Sequence, residues 1–218
     1  MQCASCGALV SVSTGKCDHC GREFAAAAAR QLAPQPAKYH VRDDGAELSI
    51  SWSWFSPHVF LLVPFAIAWN AFLFGWYSMA SGMPEDFGPM RIVMMLFPLG
   101  HVAVGLGLIY GVVCSLANST TIAVAQGTLR VWHGPVYYPG SQTFEALDIE
   151  QIFLAEATPA TAESPQPALN LMARRRGNRQ VFLVKHLQDR QAAVFLEQTL
   201  ERFLRIADER VAGEVSVA

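Results

Sequence analysis

The chain has 218 residues, a formal net charge of −2, 52% hydrophobic residues and only 16% charged ones. Globular chains average about 25% charged residues, so apolar surface must go somewhere other than a water-facing core. A near-neutral net charge gives no general argument for nucleic-acid binding, which calls for a basic stripe, and the mean hydropathy of +0.25 points towards a membrane instead.

Residues 1–24 hold two cysteine pairs, Cys3-Ala-Ser-Cys6 and Cys17-Asp-His-Cys20, with Gly7 and Gly21 behind them. Paired cysteines at this spacing are the ligand pattern of a tetrahedral zinc site. Cys3, Cys6, Cys17 and Cys20 are therefore the expected ligands of one Zn2+. Their thiolates fill all four positions and leave none for a catalytic water, so the metal is expected to be structural. A thioredoxin-like redox pair would need a single CxxC beside a βαβ pattern. His19 reads as a solvated residue between two ligands. A module this small needs the metal to fold, and reduced thiolates favour the cytosolic side of a membrane. Residues 25–38 form a linker stiffened by Pro34 and Pro36.

Residues 39–53 alternate in the manner of a strand, with Asp43-Asp44-Gly45 as a turn signal. From Leu48 to Pro84, and again from Ile92 to Leu129, there is no Asp, Glu, Lys or Arg. Inside these windows residues 54–117 predict a transmembrane hairpin, with spans over about residues 55–79 and 92–116. The alternative, two buried helices of a soluble protein, would leave too little chain to cover them. Trp52, Trp54, Trp76 and Tyr77 flank the first span as interfacial anchors would. Pro57, Pro64 and Pro98 are tolerated in such helices, with a kink expected at Pro64. Gly107-Leu-Ile-Tyr-Gly111 is a GxxxG motif, and Ala71…Gly75 is its small-residue analogue. Both permit close helix approach, within one hairpin or across a homodimer. His58, Asn70 and His101 are the polar residues of the spans, and interhelical hydrogen bonding is their expected role. Cys114 reads as a small buried hydrophobe.

From residue 118 to 210 the pattern is that of an antiparallel β domain. Residues 120–125 and 128–133 form a hairpin about Gln126-Gly127, residues 149–157 a further strand, and residues 169–173 and 180–185 a second hairpin about Gly177-Asn178. Arg174, Arg175, Arg176 and Arg179 crowd the tip of that second hairpin. Such a charge run marks solvated surface, or contacts an anionic lipid or an acidic partner. Residues 189–207 predict an amphipathic helix, with Phe195, Leu196, Leu200, Phe203 and Leu204 at helical spacing and Glu201 and Arg205 on the exposed side. The fold class is α+β.

Two segments carry a resemblance. The four-cysteine motif resembles the zinc ribbons that begin many bacterial membrane proteins. The stretch from Asn118 to Pro135 and the tail from Leu196 to Glu214 resemble uncharacterised bacterial membrane proteins with a pleckstrin-homology (PH)-like domain. That resemblance implies a bent seven-stranded antiparallel sheet capped by a C-terminal helix. Residues 46–53 would add a strand to it, making the helical hairpin an insertion.

The sequence contains no Gly-rich phosphate loop, no G-x-S-x-G elbow and no HExxH helix, so an enzyme is not expected. Two spans place both termini on one side of the membrane. The thiolates favour the cytosol, which gives an inner-membrane protein with both termini cytosolic. Lys38 and Arg42 before the hairpin, against Glu85 and Asp86 in its loop, agree with that orientation. The expected function is a non-catalytic, membrane-anchored binding or scaffold protein with an unidentified protein partner. The alternative is a small transport or membrane-enzyme accessory subunit that uses Asn70 and His101. No charged residue lies within the spans to serve as a proton relay.

Overall fold

The computed structural model describes residues 33–84, 86, 88–158, 167–206, 209, 211 and 213–215. Cys3, Cys6, Cys17 and Cys20 lie outside the described residues. The chain divides into two compact units, Met1–Pro34 and Gln35–Ala218, and every described helix and strand belongs to the second.

The second unit opens with a hairpin of β1 (Tyr39–Asp43) and β2 (Leu48–Ser53). Its turn is held by two aspartates. Asp43 Oδ1 accepts from Gly45 N at 2.9 Å, and Asp44 Oδ1 accepts from Glu47 N at 2.7 Å and Ala46 N at 3.0 Å. These amides favour the ionised carboxylate and hold the Asp44 carboxyl below its ordinary value.

Three helices follow: α1 (Val59–Ser81), α2 (Pro89–Leu96) and α3 (Leu99–Ala117). The next strand, β3 (Ser119–Ala125), then pairs antiparallel with β2, from Ser53↔Ser119 to Leu48↔Val124. The helices are thus inserted into the connection between two paired strands.

Two helical stretches, Val59–Ser81 and Pro89–Ala117, are long and apolar enough to cross a membrane. Their large side chains point outward. Phe60 is 73% exposed, Leu61 75% and Phe74 78%. A water-soluble protein rarely leaves apolar patches of this extent uncovered.

The second stretch is broken where the sequence predicts one continuous span. Pro98 has no N–H, so the Met94 carbonyl loses its helical partner four residues on. Trp76 Nε1 donates to that carbonyl at 2.9 Å, and Tyr77 Oη donates to the Met95 carbonyl at 3.2 Å. Two aromatic side chains of α1 therefore satisfy the carbonyls that the break between α2 and α3 exposes. Pro64, by contrast, lies within an unbroken α1.

The seam between α1 and α3 is narrow. Val59, Ala66, Leu73 and Ala80 of α1 are buried, one every seven residues, which is the repeat of helices packed at a shallow angle. Gly105 and Cys114 are the buried residues of α3. A Cβ at Gly105 would stand 2.7 Å from Asn70 Oδ1 and 3.2 Å from Leu73 Cδ1. Asn70 Nδ2 donates to the Ala66 carbonyl at 2.8 Å and the Gly105 carbonyl at 3.4 Å. Ala71, Gly75, Gly107 and Gly111 do not form this seam. The three glycines have nothing within 4 Å of a Cβ position, and Ala71 is exposed. Gly107 is two residues from Gly105, which turns it about 200° around the helix.

β3 turns into β4 (Thr128–Gly134) through Gln126 and Gly127, at φ 49° and 76°, the left-handed pair of a tight hairpin. β5 (Gln142–Glu145), which sequence reading does not single out, completes a five-stranded meander in the order β1-β2-β3-β4-β5. A 3-10 turn, Ala146–Asp148, leads to β6 (Ile149–Thr158), β7 (Ala168–Arg175) and β8 (Arg179–Leu187), which form a three-stranded antiparallel sheet. α4 (Arg190–Leu204) closes the domain. Asp189 caps it, with its Oδ1 accepting from Gln191 N at 2.9 Å and Ala192 N at 3.2 Å.

The core draws on both sheets and α4: Ile50, Ile122 and Leu129 from the first sheet, Leu154 and Leu171 from the second, and Leu196 and Leu200 from the helix. Tyr39 and Phe195 bring β1 to α4, with ring centroids 6.2 Å apart. Burial, and then the nearby Asp189 charge, push the Tyr39 phenol up to about 12. Two expectations are corrected here. Trp52 is a core residue at 8% exposure, its ring tilted against Tyr39 with centroids 5.0 Å apart, because β2 turns Leu48, Ile50 and Trp52 inward. Glu201 is buried at 6% exposure rather than solvated, and accepts from Gln151 Nε2 at 2.9 Å.

Candidate functional site

The candidate site is a cleft of about 560 Å³ in the β domain, beside the last turn of α3. It is lined by Lys38 before β1, by Trp54, Thr120, His133 and Tyr138, and by β8 from Phe182 to Leu187.

The junction with the helices is fixed first. Trp54 N donates to the Asn118 carbonyl at 3.0 Å, closing the base of the insertion. Asn118, only 1% exposed, uses both ends of its amide on one residue. Its Oδ1 accepts from Val136 N at 2.7 Å and its Nδ2 donates to the Val136 carbonyl at 3.0 Å. Tyr110 Oη of α3 donates to the Tyr137 carbonyl. The connection between β4 and β5 is thereby strapped to α3, and it carries Tyr138 to the cleft wall.

On that wall Trp54 packs edge-on to Tyr138, with centroids 4.7 Å apart, and lies 5.5 Å from the His133 ring. Trp54 Nε1 donates to Thr120 Oγ1 at 2.7 Å, and Thr120 Oγ1 is 3.0 Å from His133 Nδ1. Indole N–H can only donate, so the Thr120 hydroxyl proton is free to point at Nδ1. In the tautomer that accepts this proton at Nδ1, neutral His133 carries its own on Nε2. Burial lowers its pKa below the ordinary 6.5 and favours that neutral form.

The opposite wall is shaped by a bulge. Leu169 pairs with Leu187 and Leu171 with Val184, so β8 spends three residues where β7 spends two. His186 absorbs the irregularity at φ 57°, a left-handed conformation that a non-glycine residue adopts at a cost. Asn170 Oδ1 accepts from His186 N at 3.0 Å and holds it there. Lys185 Nζ lies 4.8 Å from the centre of the Phe182 ring. Among the described residues no carboxylate lines the cleft, and neither Lys38 nor Lys185 has an ion-pair partner. The walls present two ammonium groups, two imidazoles and an aromatic patch.

The arginine hairpin lies elsewhere. Arg175 Nη2 is 2.9 Å from Asp148 Oδ2, and Arg174 Nε is 3.6 Å from Glu150 Oε2. Arg176 and Arg179 are exposed. Asp148 belongs to the 3-10 turn, whose Ala146 N donates to the Gly127 carbonyl at 2.7 Å. This is the end of the β3–β4 hairpin away from α3, about 20 Å along the strand.

The polar residues of the spans are taken up locally. His58 Nδ1 is 3.0 Å from Ser56 Oγ in the turn before α1. The His101 ring stacks on Trp69 at 5.7 Å, and the His101 carbonyl accepts from Trp69 Nε1 at 3.1 Å. Among the described residues no group of three or more His, Cys, Asp or Glu is placed to hold a metal. Sequence reading missed Lys38, Lys185, His133 and His186 as a group, since no motif joins them. No protein-family model matches the chain, and no curated protein matches it in sequence.

Proposed function

We propose that this chain is a membrane-anchored, non-catalytic binding protein whose β domain presents a ligand cleft at the membrane surface. The observation that carries this reading is the insertion of the helices between the paired strands β2 and β3. A hairpin joined to its domain by two adjacent strand ends, and clamped there by Asn118 and Val136, sets the domain at a fixed place beside the bilayer. A flexible tether would not do this.

The two antiparallel sheets and closing helix are compatible with a PH-like domain, with β1 as an added strand. Ahead of it, Cys3, Cys6, Cys17 and Cys20 form a structural zinc ribbon in this reading, supported by their spacing. The thiolates favour the cytosolic face of the inner membrane for both termini. The ribbon and the β domain together serve as docking surfaces for a cytosolic protein.

Crosslinking in native membranes followed by affinity capture tests this. A partner enriched over a control carrying residues 54–117 alone supports it. Recovery of the same proteins by that control contradicts it.

A further inference from the structure

The cleft combines features that select a ligand. Its cations are lysines, compact charges on flexible stems, with no arginine among them. Lysine binds phosphate as a compact point charge that sets no geometry of its own, so neighbouring donors must orient the oxygens. Around the lysines stand further donors. The Nε2 of His133 sits beside Gly140, whose φ of 114° calls for glycine at that wall. His186 is held in strained backbone by Asn170, and such strain collects at binding sites. A volume of about 560 Å³ lies within the range of small-ligand sites. Trp54 and Phe182 supply an apolar flank, and Ser115 of α3 places one edge against the helix that leaves for the membrane.

We propose that this cleft is a phosphate site, holding the phosphate of an anionic phospholipid headgroup or of a soluble phosphate ester between Lys38 and Lys185, with His133 and His186 donating to its oxygens. The proposal rests on the reading of the chain as a membrane-anchored binding protein and names the ligand of its cleft. It also moves anion recognition away from the arginine hairpin, where Arg174 and Arg175 are already paired with carboxylates.

The test uses the full chain in nanodiscs, following the ring resonances of His133 and His186 by NMR. One arm replaces part of a phosphatidylcholine bilayer with phosphatidylglycerol. The other keeps pure phosphatidylcholine and adds glycerol 3-phosphate. A saturable shift of both rings is expected in one arm, and which arm responds identifies the source. Lys38→Gln with Lys185→Gln should weaken that response by about tenfold or more, as loss of charge-assisted contacts does. Lys38→Arg with Lys185→Arg should retain most of it and so control for folding. Arg176→Gln with Arg179→Gln should change it less than about twofold, the scale of exposed charges. No shift in either arm, or loss with the arginine pair but not the lysine pair, overturns the proposal. Co-elution of the chain with neutral nanodiscs reports anchoring separately. A chain that anchors without responding refutes the phosphate site alone. If the chain does not anchor, the membrane reading fails, and the glycerol 3-phosphate arm in detergent still decides the cleft.

Discussion

Gly105→Ala tests the seam between α1 and α3. The new methyl would meet Asn70 Oδ1 at 2.7 Å and Leu73 Cδ1 at 3.2 Å, closer than side chains approach without displacement. Asn70 cannot swing aside freely, because its Nδ2 is committed to the Ala66 and Gly105 carbonyls. Crowding of this kind costs about 1–3 kcal/mol, and a lost interhelical hydrogen bond adds about 0.6 kcal/mol. Replacing glycine by alanine within a helix returns about 1 kcal/mol. The net is a destabilisation of about 0.6–2.6 kcal/mol. Gly107→Ala meets nothing within 4 Å and keeps only the favourable part, so it should stabilise by up to about 1 kcal/mol. Reversible unfolding in mixed micelles, followed by helical circular dichroism, measures both. Shifts of the same sign for the two variants would refute the seam and put the close approach at the GxxxG motif.

Removing the proline break by Pro98→Ala supplies an N–H for the Met94 carbonyl. Trp76→Phe should then cost less in that background than in the parent, a coupling of roughly 0.5 kcal/mol or more in a double-mutant cycle. Asn118→Leu leaves the N–H and carbonyl of Val136 without their partners, at about 1–3 kcal/mol for each buried group. Hydrogen exchange at Val136 should accelerate at least tenfold, while exchange in the β6–β7–β8 sheet stays slow. The His133 ring should titrate below 6.5, since burial disfavours its charged form. Its folded pKa is depressed, so its contribution to stability is present above 6.5 and is lost as pH falls through the folded value. His133→Gln should flatten that part of the stability–pH curve, and an unchanged curve would contradict the assignment.

The elements that sequence reading recovers are those with a strong local signal. Gln126-Gly127 and Gly177-Asn178 announce their turns because each places two residues at positive φ. The apolar stretches announce the helices by length and absence of charge. Three features were not legible, each for a physical reason. The break at Pro98 depends on Trp76 and Tyr77 of another helix to satisfy the exposed carbonyls. Without that tertiary help the proline reads as a tolerated kink. The seam at Gly105 has no motif, because Ala66, Leu73 and Gly105 become neighbours only once the hairpin closes, whereas Gly107 and Gly111 form a motif that faces away. The cleft joins Lys38 to Lys185 across 147 positions, through a strand order and a β8 bulge that no local pattern encodes. Glu201 misled for a related reason: a charge on an amphipathic helix reads as solvated, yet Gln151 of β6 meets it in the interior.

In this reading residues 59–117, long and apolar enough to span, anchor the β domain in a bilayer. Alkaline carbonate extraction of membranes from cells producing the full chain tests it most directly, since this treatment strips peripheral proteins and leaves integral ones. The full chain should stay wholly in the membrane pellet, and a variant with β2 joined to β3 by a short turn in place of residues 54–118 should appear in the soluble fraction. Release of the full chain by carbonate would contradict this reading.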